Sequence, residues 1–79
     1  MLLSRRTICY DIFRLLQRDA SRRPGTGVQL KVHPSIADIL REEEIKHITE
    51  LEKQTGKSIA IIPVAELHIE RYEILWLDH

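Results

Sequence analysis

Between Ser4 and Ala20 apolar residues recur three and four positions apart, with Ile8, Ile12, Phe13, Leu15 and Leu16 forming one wide stripe. That period predicts a helix with one buried face. Ser4 or Thr7 can cap its start, since either hydroxyl accepts a backbone N–H left over in the first turn. The stretch SRRPGTG, residues 21–27, ends the helix: glycine tolerates positive φ and proline cannot donate to a continuing turn. The period then shortens to two. In VQLKVH, Val28, Leu30 and Val32 alternate with Gln29, Lys31 and His33, the pattern of a strand buried on one face.

HPSIADIL turns the chain into a second helix. Pro34 suits a first helical turn, and Ser35 with Asp38 forms a short capping box. Ile36, Ile39, Leu40, Ile45, Ile48 and Leu51 keep helical spacing as far as Gly56, a stop signal. SIAIIPV follows as a strand apolar on both faces: Ile59 and Ile61 on one, Ala60, Ile62 and Val64 on the other. Pro63 removes a ladder donor and marks an edge or an end. After the loop AELHIE, RYEILWL predicts a third strand, with Tyr72, Ile74 and Trp76 opposing Glu73, Leu75 and Leu77.

The order helix–strand–helix–strand–strand predicts a small α/β domain of the α+β kind. Two helices cover one face of a three-stranded mixed sheet. A right-handed crossover sets the first two strands parallel, and the short loop 65–70 folds the third back antiparallel beside the second. Only one sheet face then meets helices. Ile62, Val64, Leu75 and Leu77 are left as interface candidates for another domain or another copy of the chain.

Seventy-nine residues allow one domain, 1–79, and one that buries only roughly 60% of its unfolded surface. Cys9 is the single cysteine, so no internal disulfide helps, and a reducing, intracellular setting fits. No apolar run approaches the roughly 20 residues of a transmembrane helix. The chain reads as a soluble, cytoplasmic protein with no membrane partner.

Net charge is zero, yet the average hides a division. Residues 1–31 hold seven Lys/Arg against two acids, and residues 32–79 hold five against ten. Such asymmetry steers a partner or orients the domain against a neighbour. Arg14, Arg18 and Arg22 fall four apart as one stripe down the first helix, Arg23 extends it, and Arg5 and Arg6 lie at the other end. Arginine's planar fork pairs two phosphate oxygens at once, so the stripe can track phosphates. Ion pairing with the acidic second half, or docking on another domain, explains the same residues. Base stacking wants more aromatics than Tyr10, Phe13, Tyr72 and Trp76.

Motifs of catalysis are missing. There is no C-x-x-C pair, H-E-x-x-H, G-x-x-x-x-G-K-S/T or G-x-G-x-x-G. His68-Ile69-Glu70 copies the H-x-E of zinc deaminases without the P-C-x-x-C that chemistry requires. Glu43 and His47 share a helix face as an exposed ion pair, and Glu42, Glu43 and Glu44 read as a solvated face. Cys9 sits among apolar positions, where a buried thiol is the usual meaning. No residue is assigned as catalytic and none as a metal ligand.

Several blocks together resemble a known family. Thr7, Ile8, Cys9, Tyr10, Asp11, Ile12 and Arg14 follow the Thr-Ile/Val-Cys-aromatic-acid-Ile pattern that opens the small C-terminal domain of bacterial ribonuclease E/ribonuclease G endoribonucleases. Pro34, Ile36, Ala37 and Leu40, then Glu43 and Glu44, are similar to its P-x-V-A-x-x-L helix with an acidic centre. His68, Glu70, Tyr72, Glu73 and Ile74 are similar to its closing H-x-E-x-Y-D-I/V strand.

The resemblance implies a parent enzyme that cuts single-stranded RNA by magnesium-assisted hydrolysis, using acidic residues of a larger N-terminal domain. It also implies a zinc link, C-P-x-C-x-G, ahead of residue 1. On that footing this chain is an accessory domain C-terminal to both. It holds neither magnesium nor zinc itself, partners the parent catalytic domain, supports a homo-oligomer and sits near RNA. Two other readings stay open: a stand-alone RNA-binding module, against whose KH subtype the lack of G-x-x-G counts, and a pure protein-interaction domain.

Overall fold

In the computed structural model, which describes residues 4–77, the first helix, α1 (Arg5–Ala20), is capped by Ser4, whose Oγ accepts the Thr7 N–H at 3.1 Å. Its buried side is Ile8, Cys9, Ile12, Phe13, Leu16 and Ala20, with Leu15 half-buried. The predicted stripe is therefore the core stripe, with Cys9 at its centre. After a loop that turns at Gly25 (φ 101°), β1 (Gly27–Val32) buries Val28, Leu30 and Val32 as its alternation requires.

The second helical region departs from its expectation in two ways. Its cap is His33 in place of Ser35: the imidazole Nδ1 accepts the Ser35 N–H at 3.1 Å, and Pro34 follows in the first turn. It is also two helices, α2 (Pro34–Glu42) and α3 (Ile45–Thr55). The break lies where an acid falls in phase with the apolar stripe. Glu44 follows Leu40 and precedes Ile48 at four-residue spacing, and its carboxylate needs a polar partner to be buried. The backbone opens so that the Glu44 N–H reaches the Ile39 carbonyl (2.9 Å), five residues back. Ile45, counted in the stripe from sequence, is exposed. Gly56 ends α3 in the left-handed region (φ 70°), as a stop signal there predicts.

β2 (Ser58–Pro63) runs parallel to β1 and β3 (Tyr72–Leu77) runs antiparallel to it, giving the order β2-β1-β3. The α+β class with a mixed three-stranded sheet stands. The pairing of β3 beside β2 is corrected, since β1 is the central strand. Physical reasons favour this order. Pro63 gives β2 no donor at its end. The eight residues between β2 and β3 easily span the roughly 10 Å of two strand spacings. The most uniformly buried strand also gains a neighbour on each side. In register, Val28 lies between Ile59 and Trp76, and Leu30 between Ile61 and Ile74. These residues share the face that packs on the helices in one core.

Candidate functional site

The arginine set is spread over three kinds of surroundings. Arg14, Arg22 and Arg5 are exposed, and no ion pair or ring contact holds them among the described residues. Arg14 and Arg18 lie about one turn, or about 6 Å, apart on α1, with Arg22 in the turn just beyond. Arg18 is partly occupied, its Nε donating to Asp19 at 3.0 Å. Arg6 meets Glu43 at 3.6 Å, both exposed, the one ion pair among the described residues that joins the basic and acidic halves. Such a pair is worth little in water. Arg23 lies over the Trp76 ring at 5.9 Å, tying the loop after α1 to the last strand.

That loop is clamped from below by a residue with no signature in the sequence. Lys57 is only 7% exposed, and its Nζ donates to the carbonyls of Arg23 (2.9 Å) and Gly25 (2.7 Å). A buried ammonium must be hydrogen-bonded, and here its acceptors are the loop that carries Arg22 and Arg23. Lys57 therefore positions the far end of the stripe.

A shallow groove of about 150 Å³ runs between α1 and α3, lined by Phe13, Gln17, His47, Glu50, Leu51 and Gln54. His47 donates through Nδ1 to Glu44 at 2.5 Å. The sequence-level pairing of His47 with Glu43 is thus corrected, and Glu44, at 5% exposure, is no part of a solvated face. Its place in the apolar phase was the signal for this. His47 also packs on Phe13, with ring centroids 5.2 Å apart. The dyad closes the helix break and faces no enclosed cavity. His68-Ile69-Glu70 is a local turn in which the His68 Nδ1 accepts the Glu70 N–H.

No group of three or more His, Cys, Asp or Glu comes together among the described residues. Cys9 is fully buried, and its thiol is pushed up to about 11 by burial first, then by the Glu44 and Glu43 charges, with Arg6 acting against them. Native Cys9 keeps its proton until about pH 11, whereas the unfolded thiol loses it near 9.0. The folded state binds more protons in that interval, so this contribution is full below pH 9 and falls as pH rises towards 11, by about 3 kcal/mol in total. Urea titrations of wild type and Cys9→Ala at pH 8 and pH 10 should show the wild type losing more stability between the two. Equal losses would contradict the burial argument.

The interface candidates fall on one sheet face. In register with Gln29 and Lys31, whose side chains point away from the helices, lie Ala60, Ile62, Leu75 and Glu73, with Leu77 opposite Gly27. Leu75 is 51% exposed and Leu77 is exposed as well. Val64 follows β2, half-buried, its N–H on the Val32 carbonyl at 2.7 Å. No helix of the described residues is long and apolar enough to cross a membrane.

Comparison with known proteins supports the family that the sequence blocks resemble. The family model of the RNase E/G, thioredoxin-like domain matches residues 1–77. No curated protein matches the chain. A match over nearly the whole chain, on a fold of the predicted class, leads to one statement: the chain belongs to the RNase E/G family, within which it is a thioredoxin-like domain.

Proposed function

We propose that this domain serves a single-strand-specific, magnesium-dependent endoribonuclease of bacterial RNA processing and decay as its accessory C-terminal part. In this reading the zinc link and catalytic domain precede it in the parent enzyme, and magnesium and zinc act there, in the cytoplasm. This chain organises the homo-oligomer, docks on the parent catalytic domain and positions RNA along Arg14, Arg18 and Arg22. The observation that carries the reading is the one-sided helix layer, which leaves Leu75 and Leu77 exposed on the second sheet face. The family match supports the ribonuclease setting.

Binding of a single-stranded oligoribonucleotide, followed by fluorescence anisotropy over a salt series, tests the RNA part. Replacing Arg14, Arg18 and Arg22 together by Ala should weaken binding and flatten the slope of log K against log salt by about 2, three phosphate contacts at roughly 0.7 each. The corresponding triple Lys variant should keep most of the slope while losing some affinity, because a point charge replaces a planar fork. Binding that survives the Ala substitutions unchanged would remove the stripe from the mechanism and leave a protein-docking surface.

A further inference from the structure

α1 and α3 lie side by side and run the same way, Phe13 against His47 and Gln17 against Gln54. The groove of about 150 Å³ between them combines three kinds of lining. Phe13 and Leu51, both buried, form an apolar floor. His47 packs on the Phe13 ring and meets Tyr10 edge-on, with centroids 6.3 Å apart. Glu44 holds its Nδ1, so the imidazole is oriented before any ligand arrives, while its side chain stays 60% exposed.

The third lining is polar. Gln17 donates to Gln54 at 3.3 Å. Whichever way the two amides are turned, that single bond leaves an oxygen and several N–H groups uncommitted. Glu50 adds a carboxylate that no ion pair holds among the described residues. Both banks are basic: Arg14 and Arg18 lie on α1, and Lys46 and Lys53 lie one turn before and after Glu50 on α3, all exposed. A space of this size takes up one six-membered ring, as an apolar cavity of about 150 Å³ takes up benzene. An apolar peptide side chain would bury the amides and Glu50 without partners, at a cost. A pyrimidine base satisfies them, because its Watson–Crick edge sets a donor beside an acceptor.

We propose that this groove holds one unstacked pyrimidine base of single-stranded RNA. The ring lies beside His47 over Phe13 and Leu51, and the Watson–Crick edge meets Gln17, Gln54 and Glu50. Aromatic and imidazole rings with amide groups are the usual means of holding a splayed base. The proposal rests on the RNA reading above and adds a base subsite to its phosphate track. With the base seated, the flanking phosphates pass Arg14 and Arg18 on one bank and Lys46 and Lys53 on the other. One base fits here, which agrees with the small number of aromatics in the chain.

The double variant Gln17→Ala with Gln54→Ala tests it. Both side chains are exposed and alanine favours a helix, so the fold is retained. Binding of a labelled oligouridylate should weaken roughly tenfold, the order expected for losing a paired amide contact to a base. The slope of log K against log salt should not change, because no charge is removed. Wild type should prefer oligouridylate to oligoadenylate several-fold, and the double variant should lose that preference. An abasic ribose-phosphate strand of the same length should bind both proteins alike. Equal binding of oligouridylate by the two proteins, or equal weakening on the abasic strand, would overturn the base subsite and leave the phosphate track standing. A wild type that binds no oligonucleotide even at low salt would overturn both.

Discussion

Leu30→Ala is expected to lower the unfolding free energy by about 2–5 kcal/mol, against a total of about 4–12 kcal/mol for a chain of this length. Leu30 is fully buried in the central strand, with Ile61 and Ile74 beside it in register and the helix layer above. Strands on both sides hold the backbone apart, so the space left by the truncation cannot collapse. The cost should therefore fall towards the upper part of the range. Urea denaturation followed by far-UV circular dichroism measures it. Leu30→Val, a smaller truncation, should cost roughly 1 kcal/mol and keeps the test readable if the Ala variant does not fold. A loss below about 1 kcal/mol for Leu30→Ala would mean that β1 is not the centre of the core.

Lys57→Met should cost about 2–3 kcal/mol and act on one loop more than on the rest. The methionine keeps the apolar stem and removes the ammonium, so the Arg23 and Gly25 carbonyls lose their donor. Hydrogen bonds to a charged group contribute about 1.5–3 kcal/mol each, and no longer burying the ammonium offsets part of the loss of the two. The expected signature is faster amide exchange and faster tryptic cleavage at Arg22, with exchange in β1 slowed or quickened only by the global change in stability. Unaltered cleavage at Arg22 would show that the loop holds its shape without the clamp.

Elements with a single strong period were legible from sequence alone. The alternation of Val28, Leu30 and Val32, the stripe of α1 and the stop at Gly56 all stand in the structure where the pattern places them. Strand order was not, because periodicity reports which face of a strand is apolar and says nothing about which edge is occupied. The proline that marks β2 as an edge was visible, and the side chains that complete that edge, Glu52 and Arg41, come from helices whose placement only the fold supplies. The helix break was half-visible, since a glutamate in phase with Leu40 and Ile48 conflicts with a continuous buried stripe. Of the candidate surfaces, the face shared by Leu75 and Leu77 followed from alternation. Lys57 left no trace, for one lysine after a glycine looks like any other until its acceptors are folded over it.

Side chains at the outer rim of β2 also bear on uncontrolled growth of the sheet. A sheet with two receptive rims adds subunits without end and grows into a fibre, because each addition regenerates the edge it consumed. With Glu52 on the Ile59 N–H, Arg41 on the Ile61 carbonyl and Pro63 offering no donor, that rim is poor ground for a further strand. Strand addition at β2 is thereby disfavoured, and one of the two routes into a fibre is blunted by the fold itself.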